Sequence, residues 1–209
     1  AGIAVGKEYG VAPGAKIGAI RIFDDTRHSN VGNALCALDK TIEWAGADPK
    51  IKVMNNSWGL DYGASTDQYW EDFEIIRGMG ILPVTSSGNN GPAQGSAGSP
   101  GDYPHVFSVG STTETDTIAE SSSRGPVYWD GQRYTKPDIS APGEWIYSSV
   151  PGGGYDWLFG TSMASPMVAG AAAMIMEIDP SLDIEQVQYL LETHSVDLGV
   201  QGKDNWYGW

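Results

Sequence analysis

Short apolar runs alternate with amphipathic stretches through the first half of the chain, and no other feature narrows its possible folds so far. Residues 15–23 read as a strand, and a helix is expected over 30–45 with Leu35, Leu38, Ile42 and Ala45 on one side. Residues 51–56 form a short buried strand, and a second helix is expected over 66–79, with Ser65 and Gln68 at capping-box spacing. Further strands fall at 81–86 and 106–110. Strands spaced by helices argue for βαβ units, because parallel strands need a crossover to join them. The predicted class is therefore α/β, a three-layer αβα arrangement around a mostly parallel central sheet. From 119 to 150 the pattern breaks into short segments and turns, and a last amphipathic helix covers 183–193 with Ile184, Val187, Leu190 and Leu191 inward. No linker divides the chain, so one domain over 1–209 is expected.

In parallel sheets ligands gather beyond the carboxyl ends of the strands. Val53-Met54-Asn55 leads into Asn56-Ser57-Trp58-Gly59, and Leu82-Pro83-Val84 leads into Thr85-Ser86-Ser87-Gly88-Asn89-Asn90-Gly91. Both continuations are small, polar and glycine-bearing, as suits a backbone that a ligand approaches closely. Taken alone, the second is also an ordinary strand ending in an Asn-Gly turn.

The stretch Phe159-Gly160-Thr161-Ser162-Met163-Ala164-Ser165-Pro166-Met167-Val168-Ala169-Gly170 reads as a tight turn that delivers one serine to the first turn of a helix. Gly160 permits the sharp entry, Thr161 or Ser162 can cap the helix, and Pro166 stands near enough to its start for the missing N–H to cost little. Ala164, Val168, Ala169, Ala171, Ala172, Ala173 and Ile175 are too apolar for a surface helix, which predicts a buried one. A serine there lies beside free N–H groups and the positive end of the dipole, where a developing oxyanion is stabilised. For the Gly-Thr-Ser triplet by itself, a simple helix cap is the alternative.

Charge and composition limit the partners. The chain has 209 residues, enough for one domain with a substantial core, and a net charge of −14. That charge argues against nucleic acid or an anionic membrane as partner. No run of about 18 apolar residues is seen that would span a membrane, and the N-terminus lacks the layout of a signal peptide. A soluble, secreted protein is expected. Cys36 is the single cysteine, so no internal disulfide forms, and its apolar helical surroundings predict a core residue.

The eleven residues from Gly160 to Gly170 resemble the nucleophile motif of the subtilisin-like serine proteases, the peptidase S8 family. The resemblance implies that Ser162 is the catalytic nucleophile. The segment ending in Gly88-Asn89 resembles the one whose asparagine donates to the oxyanion, which places that role on Asn89, with the Ser162 N–H as second donor. Asn55-Asn56-Ser57-Trp58-Gly59 resembles the strand that pairs with the substrate main chain. Ser57, Trp58 and Gly59 would then bind an extended peptide by β-augmentation. Ser86, Ser87 and Gly88 would form one wall of the pocket for the residue before the scissile bond, with its base near residues 95–98. Gly10-Val11-Ala12-Pro13-Gly14-Ala15, Ser99-Pro100-Gly101-Asp102-Tyr103-Pro104, Ser123-Arg124-Gly125-Pro126 and Lys136-Pro137-Asp138-Ile139-Ser140-Ala141-Pro142-Gly143 follow in the family's order. Trp58 and Ile81-Leu82-Pro83-Val84 resemble the bacillopeptidase F branch.

A serine nucleophile needs a base to take its proton and an acid to orient that base. His28 lies in a polar loop, His105 opens a strand and His194 closes an amphipathic helix, so none of the three suits the role. In the family the base stands in a His-Gly-Thr-His-Val-Ala-Gly motif, after an aspartate at the end of an earlier strand. Ala1-Gly2-Ile3 resembles the tail of that motif, and Asn205-Trp206-Tyr207-Gly208-Trp209 resembles the start of a Tyr-Gly-x-Gly closing segment. The chain is therefore expected to be the larger C-terminal part of a catalytic domain, inactive alone and completed by an N-terminal companion segment carrying Asp and His. No cofactor is required. Only residues 3–9 separate Gly2 from Gly10, where the family often has a calcium loop, so that site is expected to be lost. A weaker structural calcium site at the Gly101, Tyr103 and Val106 carbonyls is the remaining candidate.

Three functions compete. A serine endopeptidase acting on protein or peptide substrates is the first, and an inactive relative that only binds peptides is the second. Retention of both Ser162 and Asn89 favours the first, since a binder needs neither. An α/β-hydrolase esterase is disfavoured because Ser162 lacks the Gly-x-Ser-x-Gly elbow.

Overall fold

Leu82 and Val84, like Phe107 and Val109, recur at every second position and are fully buried, so their strands must be covered on that face by something apolar. The computed structural model describes residues 1–26, 28–47, 51–60 and 64–209. The first half of the chain carries α1 (Gly2–Val5), α2 (Val31–Ala47), β1 (Val53–Asn56), α3 (Trp70–Gly78), β2 (Leu82–Ser86) and β3 (Phe107–Thr112). Then come β4 (Val127–Trp129), β5 (Gln132–Tyr134), β6 (Ile139–Pro142), β7 (Ile146–Ser149), β8 (Tyr155–Leu158), α4 (Thr161–Ile178) and α5 (Ile184–Thr193). Four strands make a parallel sheet in the order β1-β2-β3-β6, while β4-β5 and β7-β8 are antiparallel pairs.

The sheet separates two cores. Leu82, Val84, Phe107, Val109 and Ile139 pack with Ala164, Val168, Ala172 and Met176 of α4 and Ile184 and Val187 of α5. On the other side Ala34 and Leu38 of α2 meet Phe73 and Ile76 of α3, with Tyr69, Ile81 and Tyr103. Helices thus lie on both faces of a parallel sheet, the three-layer α/β architecture expected from the alternation.

α4 is 18 residues long with a mean hydropathy of 1.2, so by length and composition it could cross a membrane, contrary to the expectation that no such run exists. Its apolarity has another cause. It packs against β1, β2, β3 and β6, with α1 and α5 at its flanks, and Ala164 and Ala172 are fully buried. Burial does not extend all round, since Met174 and Ile178 are exposed and Ala171, Ala173 and Ile175 are half-buried.

Four local expectations are corrected. Residues 15–23 form no regular element and join no ladder, and Ile17 and Phe23 are exposed; a strand exists through its partners, and this segment has none among the described residues. Ser65 does not cap α3, because its hydroxyl donates to Asp102 Oδ2 at 2.5 Å, and α3 starts at Trp70 with no side-chain cap. The equivalent spacing does form a box at α5, where Asp183 accepts from Gln186 N–H and Gln186 accepts from Asp183 N–H. Cys36 is exposed rather than buried, because α2 turns Ala34, Leu38 and Ala45 to the core instead. Pro166 sits at the sixth position of α4, beyond the first turn, so it does remove an intrahelical hydrogen bond.

Candidate active site

The start of α4 is built from two distant segments. Gly160 is its N-cap at φ 108°, a conformation that a residue with a Cβ adopts only under strain, and it supplies no side-chain cap. Neither Thr161 nor Ser162 caps the helix. Asn89 does so from the loop after β2, its Oδ1 accepting from Thr161 N–H at 3.0 Å and from Thr161 Oγ1 at 2.9 Å. A Cβ at position 160 would lie 3.0 Å from both amide atoms of Asn89, so glycine is required for contact as well as for conformation. Ser162 is the second residue of the helix and its N–H has no intrahelical acceptor. Among the described residues neither the Ser162 N–H nor Asn89 Nδ2 has an acceptor, and both stand at the positive end of a long helix.

The serine side chain faces β1. Ser162 Oγ donates to the Ser57 carbonyl at 3.3 Å, and Ser57 Oγ donates to the Ser162 carbonyl at 2.9 Å. Asn55 Nδ2 donates to Ser57 Oγ at 3.0 Å, and Ser165 Oγ donates to Asn55 Oδ1 at 2.8 Å. Ser57, Trp58 and Gly59 continue β1 past the ladder with β2, leaving main-chain groups open to an added strand. The Trp58 ring is not part of that surface. It packs edge-on to Tyr69 at 5.1 Å, and its Nε1 donates to Asn56 Oδ1 at 3.1 Å.

Ser86 and Ser87 are buried at the end of β2, and Gly88 turns the chain at φ 108°. Ser123 holds this turn. Its N–H donates to the Gly88 carbonyl at 2.9 Å and its Oγ accepts from Asn90 N–H at 3.0 Å, so the loop carrying Asn89 is fastened on both sides of it. Gly101 lies against the Ser86 carbonyl, too close for any side chain. Of the expected pocket base, Gly95 is exposed while Ser96, Ala97 and Gly98 are buried. Cavities of about 450 Å³ and 560 Å³ lie elsewhere, near the α3–α5 contact and beside α4 and α5, and neither is lined by Ser162 or Asn89.

None of the histidines serves Ser162. His28 contacts Thr26 Oγ1 at 2.9 Å, and His194 contacts the Leu190 carbonyl at 3.0 Å. His105 is wedged between Trp70 and Tyr103, and burial pushes its pKa down to about 4. Among the described residues no three His, Cys, Asp or Glu side chains gather as a metal site. The carbonyl set proposed for calcium fits poorly, because the Val106 carbonyl already accepts from the Lys136 ammonium at 2.8 Å.

That ammonium belongs to a buried chain of charges. Lys136 Nζ lies 2.6 Å from Asp138 Oδ2, Lys203 Nζ lies 2.8 Å from Asp138 Oδ1, and Lys203 also reaches Glu192 at 3.4 Å. Burial opposes ionisation of Asp138, but the two ammoniums outweigh it and hold its pKa below the usual carboxylate value. The chain of charges ties residues 203–209 to the sheet, assisted by Trp209 N–H donating to the Asp138 carbonyl at 3.0 Å.

Sequence motifs identified Ser162, Asn89 and the β1 extension, and the structure brings these together. They gave no role to Asn55, Ser165 or Ser123, and read Thr161 only as one of two candidate helix caps. Asn55 and Ser123 stood in segments already matched to the family, and Pro166, four residues after Ser162, was the signal that the Ser162 carbonyl needs a donor from outside the helix.

In sequence and fold the chain is similar to known proteins. The whole chain, residues 1–209, matches the subtilase family, peptidase S8, and the chain belongs to it. Bacillopeptidase F of Bacillus subtilis (strain 168) is 35% identical over 202 residues, covering 88% of this chain and 13% of that protein. Subtilisin DY of Bacillus licheniformis is 33% identical over 192 residues, covering 91% of this chain and 64% of that protein. Among solved structures, sphericase superposes with a TM-score of 0.85 at 29% identity, covering 96% of this chain and 69% of that one. The S41 psychrophilic protease superposes with a TM-score of 0.87 at 29% identity, covering 99% of this chain and 73% of that one. The chain thus spans less than two thirds of the length of these curated relatives.

Proposed function

We propose that this chain is the serine-bearing part of a secreted serine endopeptidase, with Ser162 as nucleophile and a histidine and aspartate supplied from outside residues 1–209. The observation that carries this reading is the start of α4, where Asn89 caps Thr161 with its Oδ1 and leaves its Nδ2, like the Ser162 N–H, free for an oxyanion. A peptide would lie along Ser57, Trp58 and Gly59, with Ser86, Ser87 and Gly88 flanking the residue before the scissile bond. Ser162 Oγ attacks the carbonyl carbon and its proton passes to the supplied imidazole. The oxyanion is held by Asn89 Nδ2 and the Ser162 N–H. The C–N bond then breaks, the amine leaves with that proton, and water releases the acyl group from Ser162.

In the resting chain Ser162 Oγ donates a hydrogen bond to the Ser57 carbonyl, a very weak base, so the hydroxyl is not activated by these residues. Replacing Ser162 by Ala in the full-length protein should lower kcat on a peptide substrate by about 10⁶, the magnitude found in subtilisin itself. Undiminished hydrolysis by the Ser162→Ala variant would overturn the assignment.

A further inference from the structure

Pro166 has no N–H, and in an α-helix the N–H of residue 166 would serve the carbonyl of residue 162. The nucleophile's own carbonyl is therefore left without its helical donor. Ser57 Oγ fills that place at 2.9 Å, from a residue 105 positions away in sequence. A serine hydroxyl has one proton, and once it is given to Ser162 the oxygen can only accept from other groups. Asn55 must then present its amide nitrogen to Ser57, at 3.0 Å, which turns its Oδ1 towards α4. There it meets Ser165 Oγ at 2.8 Å, a hydroxyl that is fully buried and must donate to something. Each step leaves one choice, so the orientation of the Asn55 amide follows from the missing proton on Pro166.

We propose that Ser165, Asn55 and Ser57 form a one-way hydrogen-bond relay that replaces the helical donor lost at Pro166 and fixes the backbone of Ser162. Asn55 and Ser165 are positioning residues: they touch neither substrate nor oxyanion, and act through Ser57 on the peptide that carries the nucleophile. The relay starts on α4, crosses to the end of β1 and returns to α4 within four residues of its start, so it also sets the substrate strand against the nucleophile helix. The reversed amide would aim Oδ1 at Ser57, take the hydroxyl's proton and leave the Ser162 carbonyl with no donor. A nucleophile held this way needs no reorganisation when it attacks, so the benefit should appear in kcat rather than KM.

The proposal rests on Ser162 being the nucleophile, and the test separates the two. In the full-length protein, Asn55→Ala and Ser165→Ala are measured for kcat and KM on a peptide substrate, each with Pro166 and with Pro166→Ala. The Pro166→Ala change restores the N–H that the relay replaces. Asn55→Ala should lower kcat by about tenfold, and Ser165→Ala by less, with KM within about twofold. In the Pro166→Ala background both losses should shrink to less than about twofold, because the helix then serves its own carbonyl. Ser165→Ala removes only one hydroxyl from an apolar helix, so it keeps the test valid if Asn55→Ala folds poorly. Equal losses in the two backgrounds would overturn the relay. Loss of activity in Ser162→Ala beside unchanged kcat in both relay variants would overturn the relay alone, whereas an active Ser162→Ala would remove the nucleophile reading itself.

Discussion

In the proposed mechanism Asn89 divides its amide between the fold and the chemistry. Its Oδ1 accepts twice from Thr161, while its Nδ2 has no protein acceptor among the described residues. The two halves can be separated by substitution. Asn89→Asp keeps the oxygen that caps Thr161 and loses the donor, so it should lower kcat with little change in melting temperature. The expected loss is about 10²–10³, a magnitude taken from subtilisin itself, read by steady-state hydrolysis of a peptide anilide. An unchanged kcat in this variant would mean that Asn89 only caps the helix. Ser162 and Asn89 stood out as candidates in the sequence because both lie in contiguous motifs. The Asn89–Thr161 bond was not, since its partners are 72 residues apart and single-sequence spacing carries no register between them. Cys36 was misjudged for a related reason: the apolar stripe of α2 is wide, and only packing decides which of its edges is covered.

Among the elements, the strands were legible where apolar residues recur and both faces are covered, as in β2 and β3. Residues 15–23 carry the same kind of run without a partner, and a ladder cannot be seen from one of its sides. Capping boxes show the same limit, since the Asp183–Gln186 pair forms while Ser65 is drawn away by Asp102. The buried charges had no signal beyond their place in a matched segment, because Lys136 and Asp138 sit two residues apart and Lys203 joins them from the far end of the chain. These charges join α5, β6 and the C-terminal residues, so breaking them should be costly. Asp138→Asn leaves the Lys136 ammonium, 1% exposed, without its counter-charge. Urea unfolding should show a loss of roughly 3–5 kcal/mol, as for other buried pairs deprived of one partner. A loss below about 1 kcal/mol, as for exposed pairs, would mean that water reaches the site and shares the charge.

At the scale of the molecule, the parallel sheet brings the end of β1, the loop after β2 and the start of α4 to one place, where the proposed nucleophile, oxyanion donors and substrate strand meet. No histidine joins them. His105 is locked into an aromatic core and holds its neutral form to about pH 4, while His28 and His194 bond to residues beside them in sequence. The central claim is that Ser162 is a nucleophile whose base comes from outside residues 1–209. Labelling with a fluorophosphonate, followed by peptide mapping, tests it most directly, because the probe reacts with a serine only when a base activates it. The full-length protein should be labelled rapidly and at Ser162, and a folded preparation of residues 1–209 should be labelled hardly at all. Rapid labelling of that shorter preparation, or a label on any other serine of the full-length protein, would contradict the account.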